Sequence, residues 1–426
     1  MENTQRRVGV IGGVRIPFCR NNTAYADVGN FGMSVKVLGA LVERFGLHGV
    51  ELGEVAMGAV IKHPSDWNLA REALLSSGLA PTTPGITTAR ACGTSLDNAI
   101  IVANKIALGQ IEAGIAGGTD TTSDAPLQVN DEMRRTLLEL NRARSLTARL
   151  KAAAKLRPLQ PFRPEIPRNA EPRTGLSMGE HAAITARRWD IAREAQDELA
   201  LASHQRLAAA YDRGFFDDLV TPYLGLTRDQ NLRADTSLEK LSSLKTVYGR
   251  EDATMTAGNS SPLTDGASTV LLASEQWAAE RSLPVQAWMV DCEVAAVDFV
   301  HGDEGLLMAP AYAVPRMLAR RGLSLRDFDY YEIHEAFASQ VLATLEAWES
   351  AEFCKQRLGL EAPLGPIDRD KLNVNGSSLA AGHPFAATGG RIVANAAKLL
   401  KANGGGRALI SVCAAGGQGV VAILEA

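Results

Sequence analysis

A chain of 426 residues is long enough for two or three domains around a large core, and 46% hydrophobic with 22% charged residues is the balance of a soluble α/β protein. The formal net charge of −4 argues against bulk nucleic-acid binding. Five widely spaced cysteines argue for a reducing compartment, and the absence of Cys-x-x-Cys and His-Glu-x-x-His patterns leaves no readable metal site.

Val8 to Val14 reads as a buried strand with a glycine turn at Gly12-Gly13, Gly32 to Phe45 as a helix and Val55 to Ile61 as a second strand. The stretch from Thr87 to Leu96 follows a strand pattern that turns into good helix formers, which run on to Leu108. Cys92 sits at that turn. A helix N-terminus favours negative charge, so a thiol placed there is expected to become a thiolate more easily. Taken alone, one such cysteine is also a common buried hydrophobe. Ala113 to Gly117 reads as a strand, and the alternation predicts a mostly parallel sheet with helices on its faces.

From Asp131 to Phe162 the character changes. Arg134, Arg135, Arg142, Arg144, Arg149, Lys151, Lys155 and Arg157 alternate with leucines, as in a basic amphipathic helix. A solvated face accounts for it, and so does contact with anionic lipid, a partner subunit or a polyphosphate substrate. Prolines 158, 161, 164, 167 and 172 then speak against regular structure, and Gly179 to Arg213 is helical again. The last third repeats the first in outline. Ile101-Val102-Ala103-Asn104, a glycine and Gly114–Gly118 match Ile392-Val393-Ala394-Asn395, Gly404–Gly406 and Ser411–Gly417. The expected organisation is an N-terminal half over 1–130 completed by about 256–283, an inserted loop domain over 131–255, and a C-terminal half over 284–426. No signal core opens the chain and no apolar run is long enough to span a bilayer, so the expected location is the cytoplasm.

Three more stretches place chemistry in glycine-rich settings near predicted strand ends: Glu332-Ile333-His334-Glu335-Ala336-Phe337, Ala381-Gly382-His383-Pro384 up to Gly389, and Val412-Cys413-Ala414-Ala415-Gly416-Gly417. Each has an ordinary structural explanation by itself: His334 pairing with Glu332 or Glu335, His383 bonding backbone in a turn, Cys413 filling core. Together two thiols and two imidazoles suit a ping-pong acyl transfer, with one cysteine as nucleophile, a histidine as base and the second cysteine exchanging a proton.

These stretches closely resemble the thiolase superfamily of acyl-CoA:acetyl-CoA acyltransferases, over nearly the whole chain from Val8-Gly9-Val10-Ile11 and Arg15-Ile16-Pro17-Phe18 to Cys413–Gly417. His334-Glu335-Ala336-Phe337, the Pro384–Gly389 run and the basic insertion are similar to the fatty-acid-oxidation 3-ketoacyl-CoA thiolases, including the β subunits of trifunctional-type complexes. The resemblance implies an α/β thiolase fold: two duplicated βαβαβαββ halves in α-β-α-β-α layers, with a loop domain. It implies Cys92 as the acylated nucleophile, His383 as its activator and a contact to a thioester oxygen, Cys413 as acid and base, and His334 in the oxyanion role that a water held by Asn fills in other members. The amides of Cys92 and Ala415 would form a second oxyanion hole. Ala257 and Ser261 would touch coenzyme A, and Met178 would line the acyl pocket.

The implied reaction is cleavage of a 3-ketoacyl-CoA by coenzyme A in fatty-acid β-oxidation, with coenzyme A as substrate and neither metal nor other cofactor. The same residues run backwards make a condensing acetoacetyl-CoA thiolase. A ketosynthase or hydroxymethylglutaryl-CoA synthase, which does not use a second cysteine like Cys413, and a non-catalytic interaction scaffold are the other readings. A homodimer or tetramer is implied, and the basic segment 134–157 invites a hydratase/dehydrogenase partner or a membrane surface. Three positions depart from the family pattern: Ala415 and Ser377 stand where glycine is common, and Ser177 where some members carry a pocket histidine.

Overall fold

The computed structural model describes residues 6–156, 164–165, 167–249 and 253–426. Arg157, Pro158 and Pro161 of the basic and proline-rich stretch lie outside them. A ten-stranded sheet runs through the molecule. In its first half the spatial order is Gly85–Thr88, Glu54–Gly58, Ala113–Asp120, Thr264–Ser274 and Val8–Arg15, with two parallel junctions followed by two antiparallel ones. The second half repeats that order and those directions with Tyr330–Ile333, Arg407–Ala414, Gln418–Glu425 and Ala287–Ala296. The halves join through two residue pairs, Gly9 with Trp288 and Val10 with Ala287.

The repeat is incomplete in one place. Where the first half has Gly85–Thr88, the second has a single parallel bridge between Leu372 and Tyr331. The side chain of Asn373 does the work of the missing strand: Oδ1 accepts from the Ile333 amide and Nδ2 donates to the Ile333 carbonyl, both at 2.9 Å. The edge groups of a buried strand must be paired, and a side-chain amide has the same donor and acceptor as a peptide.

Two helices lie between the halves, Thr94–Ala107 and Thr388–Asn403, and one continuous core takes residues from both of them and from the inner faces of both sheet halves. Asn30–Phe45 covers the outer face of the first half, and Ala309–Arg321 with Ala338–Glu349 the outer face of the second. The resulting order is helix, sheet, helix, sheet, helix. Thr388–Asn403 is buried almost all round, as its run of Gly, Ala, Ile and Val dictates. Its start touches the other inner helix so closely that a Cβ on Gly389 would lie 2.5 Å from the Leu96 amide nitrogen.

The segment after Asp120 folds over this body. Its basic part forms helices Asp131–Arg142 and Leu146–Ala153, and helices Met178–Arg188 and Arg193–Asp212 follow. The proline-rich stretch is less irregular than its composition suggests, since Pro164–Glu165 pairs with Gln128–Val129. A buried pair fastens the segment to the sheet: Arg15 grips Asp229 with two hydrogen bonds, at 2.6 and 2.8 Å. Among the described residues no helix is long and apolar enough to cross a membrane.

Candidate active site

Cys92 follows the strand Gly85–Thr88 and precedes the helix that starts at Thr94. The turn is abrupt. Ala91 is held at φ 44°, a left-handed conformation that costs a residue with a Cβ about 1–2 kcal/mol. His334 sits one residue past the strand Tyr330–Ile333, and Cys413 near the end of Arg407–Ala414, so three of the four residues come from the C-terminal ends of parallel strands. His383 precedes the second inner helix. A Cβ on Gly118 would lie 2.0 Å from the Ala386 carbonyl oxygen, so glycine there lets the His383 loop press onto the first half of the sheet.

The halves bring these residues together. His383 Nε2 lies 3.0 Å from Cys92 Sγ, and its Nδ1 lies 2.6 Å from Thr388 Oγ1. The His334 ring is 4.1 Å from the His383 ring, centroid to centroid, and its Nδ1 meets Ser378 Oγ at 2.8 Å rather than Glu332 or Glu335. Among the described residues His334 Nε2 is buried without a hydrogen-bond partner. One ligand-type atom from each of Cys92, His334 and His383 falls within 4.8 Å of the others. The amides of Ala415 and Cys92 lie near the Cys92 sulfur and favour negative charge on it. Cys413 is buried among Met178, Leu306, Leu307 and Phe337, close enough to Cys92 for the charges of the two thiolates to oppose each other.

The electrostatics correct one expectation. A helix N-terminus was expected to favour a Cys92 thiolate, yet burial dominates and pushes the thiol up to about 12, with the Ala415 and Cys92 amides offsetting only part of it. Burial, and next to it the charge of Arg391, pulls His383 down to about 3. The resting pair is therefore a neutral thiol and a neutral imidazole. Burial also holds the Cys413 thiol well above the usual range, with Cys92 adding to it.

A cavity of about 690 Å³ opens from Cys92, lined by Met178, Ala415, Phe385 and residues of the folded-over segment. A second, of about 550 Å³, is lined by Ala257, Arg20, Arg233 and Lys240, and Leu263 belongs to both. Ser261 stands back from it, its amide donating to the Ala336 carbonyl at 3.0 Å. Ser177 caps the helix Met178–Arg188 and forms a capping box with Glu180, which occupies its hydroxyl.

Several contributors were not singled out from the sequence. Thr388, Ser378 and Arg391 stand behind the two histidines. Asp120 accepts from the amides of Val60, Ile61 and Ala386, tying the His383 loop to the wall of the cavity at Cys92. Glu171, in the folded-over segment, accepts from the Gly416 amide at 2.6 Å and so holds the loop that follows Cys413. A threonine five residues after His383 was the nearest thing to a signal.

Comparison with known proteins agrees with this geometry. The model of the thiolase N-terminal domain matches residues 8–276 and that of the thiolase C-terminal domain residues 283–426. The chain belongs to the thiolase family. This thiolase is 40% identical over 425 residues to the 3-ketoacyl-CoA thiolase of Pectobacterium carotovorum subsp. carotovorum (strain PC1), an alignment covering 98% of the chain and 96% of the relative. It is 39% identical to that of Serratia proteamaculans (strain 568), covering 98% and 97%. Among solved structures it is similar to the Bacillus anthracis acetyl-CoA acetyltransferase (TM-score 0.82, 32% identity, all of both chains). It is also similar to human mitochondrial 3-ketoacyl-CoA thiolase in complex with CoA (TM-score 0.80, 29% identity, 99% and 98% of the chains). The enzyme class is accordingly a thiolase-type acyltransferase.

Proposed function

We propose that this thiolase cleaves 3-ketoacyl-CoA with coenzyme A to acetyl-CoA and a shortened acyl-CoA. The observation that carries the reading is the 3.0 Å contact between Cys92 Sγ and His383 Nε2 in a cavity that also holds the Ala415 amide. Cys92 passes its proton to His383 as the sulfur attacks the 3-keto carbon. His334, with the Cys92 and Ala415 amides, faces the oxygens on which charge builds up. The C2–C3 bond of the substrate breaks, its electron pair stays on the acetyl-CoA carbon, and Cys413 supplies the proton. Coenzyme A then takes the acyl group from Cys92: its thiol proton restores Cys413, and the departing Cys92 sulfur regains its proton from His383. The covalent thioester carries the acyl group, so this chemistry calls for no metal or prosthetic group. The second cavity is our candidate place for coenzyme A, because Ala257 is on its wall and Arg20 and Arg233 offer cations for its phosphates.

The cavity at Cys92 has far more room than an acetyl group needs, which favours longer acyl chains in the degradative direction. A chain-length series of kcat/KM for thiolysis tests this. It is expected to rise from acetoacetyl-CoA to medium chains, and a maximum at acetoacetyl-CoA would instead support the condensing reading.

The resting neutral pair has a consequence for reactivity. Below a thiol pKa of about 12 the thiolate fraction grows with pH, so alkylation of Cys92 by iodoacetamide is expected to accelerate about tenfold per unit from pH 7 to 9. A plateau across that range would reveal a standing thiolate–imidazolium pair.

For the basic segment we propose contact with an anionic membrane surface. Leu146 is 74% and Leu150 62% exposed beside Arg149 and Lys151. Flotation with anionic liposomes is expected to weaken when Arg142, Arg144, Arg149 and Lys151 are neutralised. Unchanged flotation would return the helices to a solvated face.

A further inference from the structure

The buried helix Thr388–Asn403 carries a cation in its core-facing stretch, Arg391, which is 2% exposed. A guanidinium takes a place in a core only when something fixes it. Its Nη2 donates to Ser378 Oγ at 3.0 Å and to Ser377 Oγ at 3.2 Å, and the acidic groups of Glu332, Asp229 and Glu335 lie near enough to act on it, although burial pushes Glu332 up to about 8. Ser377 is one of the positions where this chain departs from the family's glycine, and here it gives the guanidinium a second acceptor.

Ser378 Oγ also lies 2.8 Å from His334 Nδ1. A guanidinium only donates, so Arg391 consumes a lone pair of the serine oxygen and leaves its hydrogen to be placed. The hydroxyl is buried, and among the described residues its one remaining partner is His334 Nδ1. A hydroxyl that donates to Nδ1 puts the hydrogen of a neutral imidazole on Nε2. That atom is the one left without a protein partner.

We infer that Arg391 and Ser378 act as positioning residues that lock His334 in its Nε2–H tautomer, making it a hydrogen-bond donor aimed at the substrate's carbonyl oxygen. The inference rests on the acyl-transfer reading above. The neighbouring histidine shows the opposite wiring. His383 Nε2 lies 3.0 Å from the Cys92 thiol and needs a free lone pair to take that proton, so its hydrogen sits on Nδ1, which donates to Thr388 Oγ1. Two rings 4.1 Å apart thus hold different tautomers, one a base set by the Cys92 thiol and the other a donor set by Ser378 and Arg391. The same assignment decides what the cluster of Cys92, His334 and His383 is for. Its spacing would suit three ligands of a zinc ion, but a nitrogen that carries hydrogen has no lone pair to offer a metal.

The test uses full-length protein labelled with ¹⁵N-histidine. Nitrogen–proton correlations of wild type, assigned to His334 by their loss in His334→Asn, are expected to show the hydrogen on Nε2. In Ser378→Ala, kcat for thiolysis is expected to fall about 10- to 100-fold, less than deletion of an oxyanion donor costs. KM for coenzyme A and the rate of Cys92 alkylation should stay within about twofold, because the His383–Cys92 pair is untouched, and Ser378→Thr should restore most of kcat. A hydrogen on Nδ1 in wild type, or a Ser378→Ala enzyme with wild-type kcat, would overturn the inference. Wild type that performs no thiolysis would defeat the proposed function while leaving the tautomer readable.

Discussion

Cys92→Ala is expected to lower thiolysis by about 10⁴- to 10⁶-fold, the loss seen when a covalent nucleophile is removed from an otherwise intact site. The size follows from the geometry. Among the described residues no other thiol shares a hydrogen bond with a histidine: Cys19 meets Thr23 and Gln230, and Cys354 meets backbone carbonyls. The Cys413 sulfur is buried in a cluster with Met178 and Phe337. The fold should survive, since alanine keeps the Cβ at the turn and removes only a sulfur that borders a cavity. Mass spectrometry after mixing with acetyl-CoA should find an acetyl adduct on wild type and none on the variant, with an unchanged melting temperature. Thiolysis within tenfold of wild type would remove the enzyme claim in its present form and favour a scaffold that merely kept the family's residues.

What could be read from the chain beforehand, and what could not, divides by distance along it. The duplicated halves were legible because strand and helix patterns are local, and Ile101–Asn104 and Ile392–Asn395 do fall on the two equivalent inner helices. The turn at Cys92 was legible for the same reason. Its charge state was not. The helix-terminus argument considers one element, while the desolvation that wins comes from packing against the other half of the molecule, and the partner histidine is 291 residues away. Likewise nothing in the run Asn373-Val374-Asn375-Gly376-Ser377-Ser378 announces that one asparagine will complete a sheet edge or that one serine will face His334. Those roles need a tertiary neighbour. Glu171 shows the same limit in the folded-over segment, where composition suggested only an irregular connector and the structure finds a carboxylate on the loop after Cys413.

Cys413→Ala separates this thiolase from decarboxylating relatives and should split the reaction in two. Cleavage of the C2–C3 bond leaves an electron pair on the acetyl-CoA carbon, and that carbon needs a proton from close by. Burial raises the Cys413 thiol well above its usual range, so at neutral pH it is fully protonated and able to supply one. Without it, thiolysis of acetoacetyl-CoA should fall about 10²- to 10⁴-fold, the range of general acid–base catalysis. Acetylation of Cys92 by acetyl-CoA requires no proton transfer at carbon. It depends on His383, His334 and the Ala415 amide, none of which the substitution touches, and should proceed within about tenfold of wild type. The variant is therefore expected to accumulate acetyl-enzyme and to stop there, which mass spectrometry and a quenched-flow assay of each half-reaction can resolve. If both halves fell together, Cys413 would be a packing residue beside Met178 and Phe337. If neither fell, the carbanion would have another proton source, and the second sulfur would have no part in the chemistry.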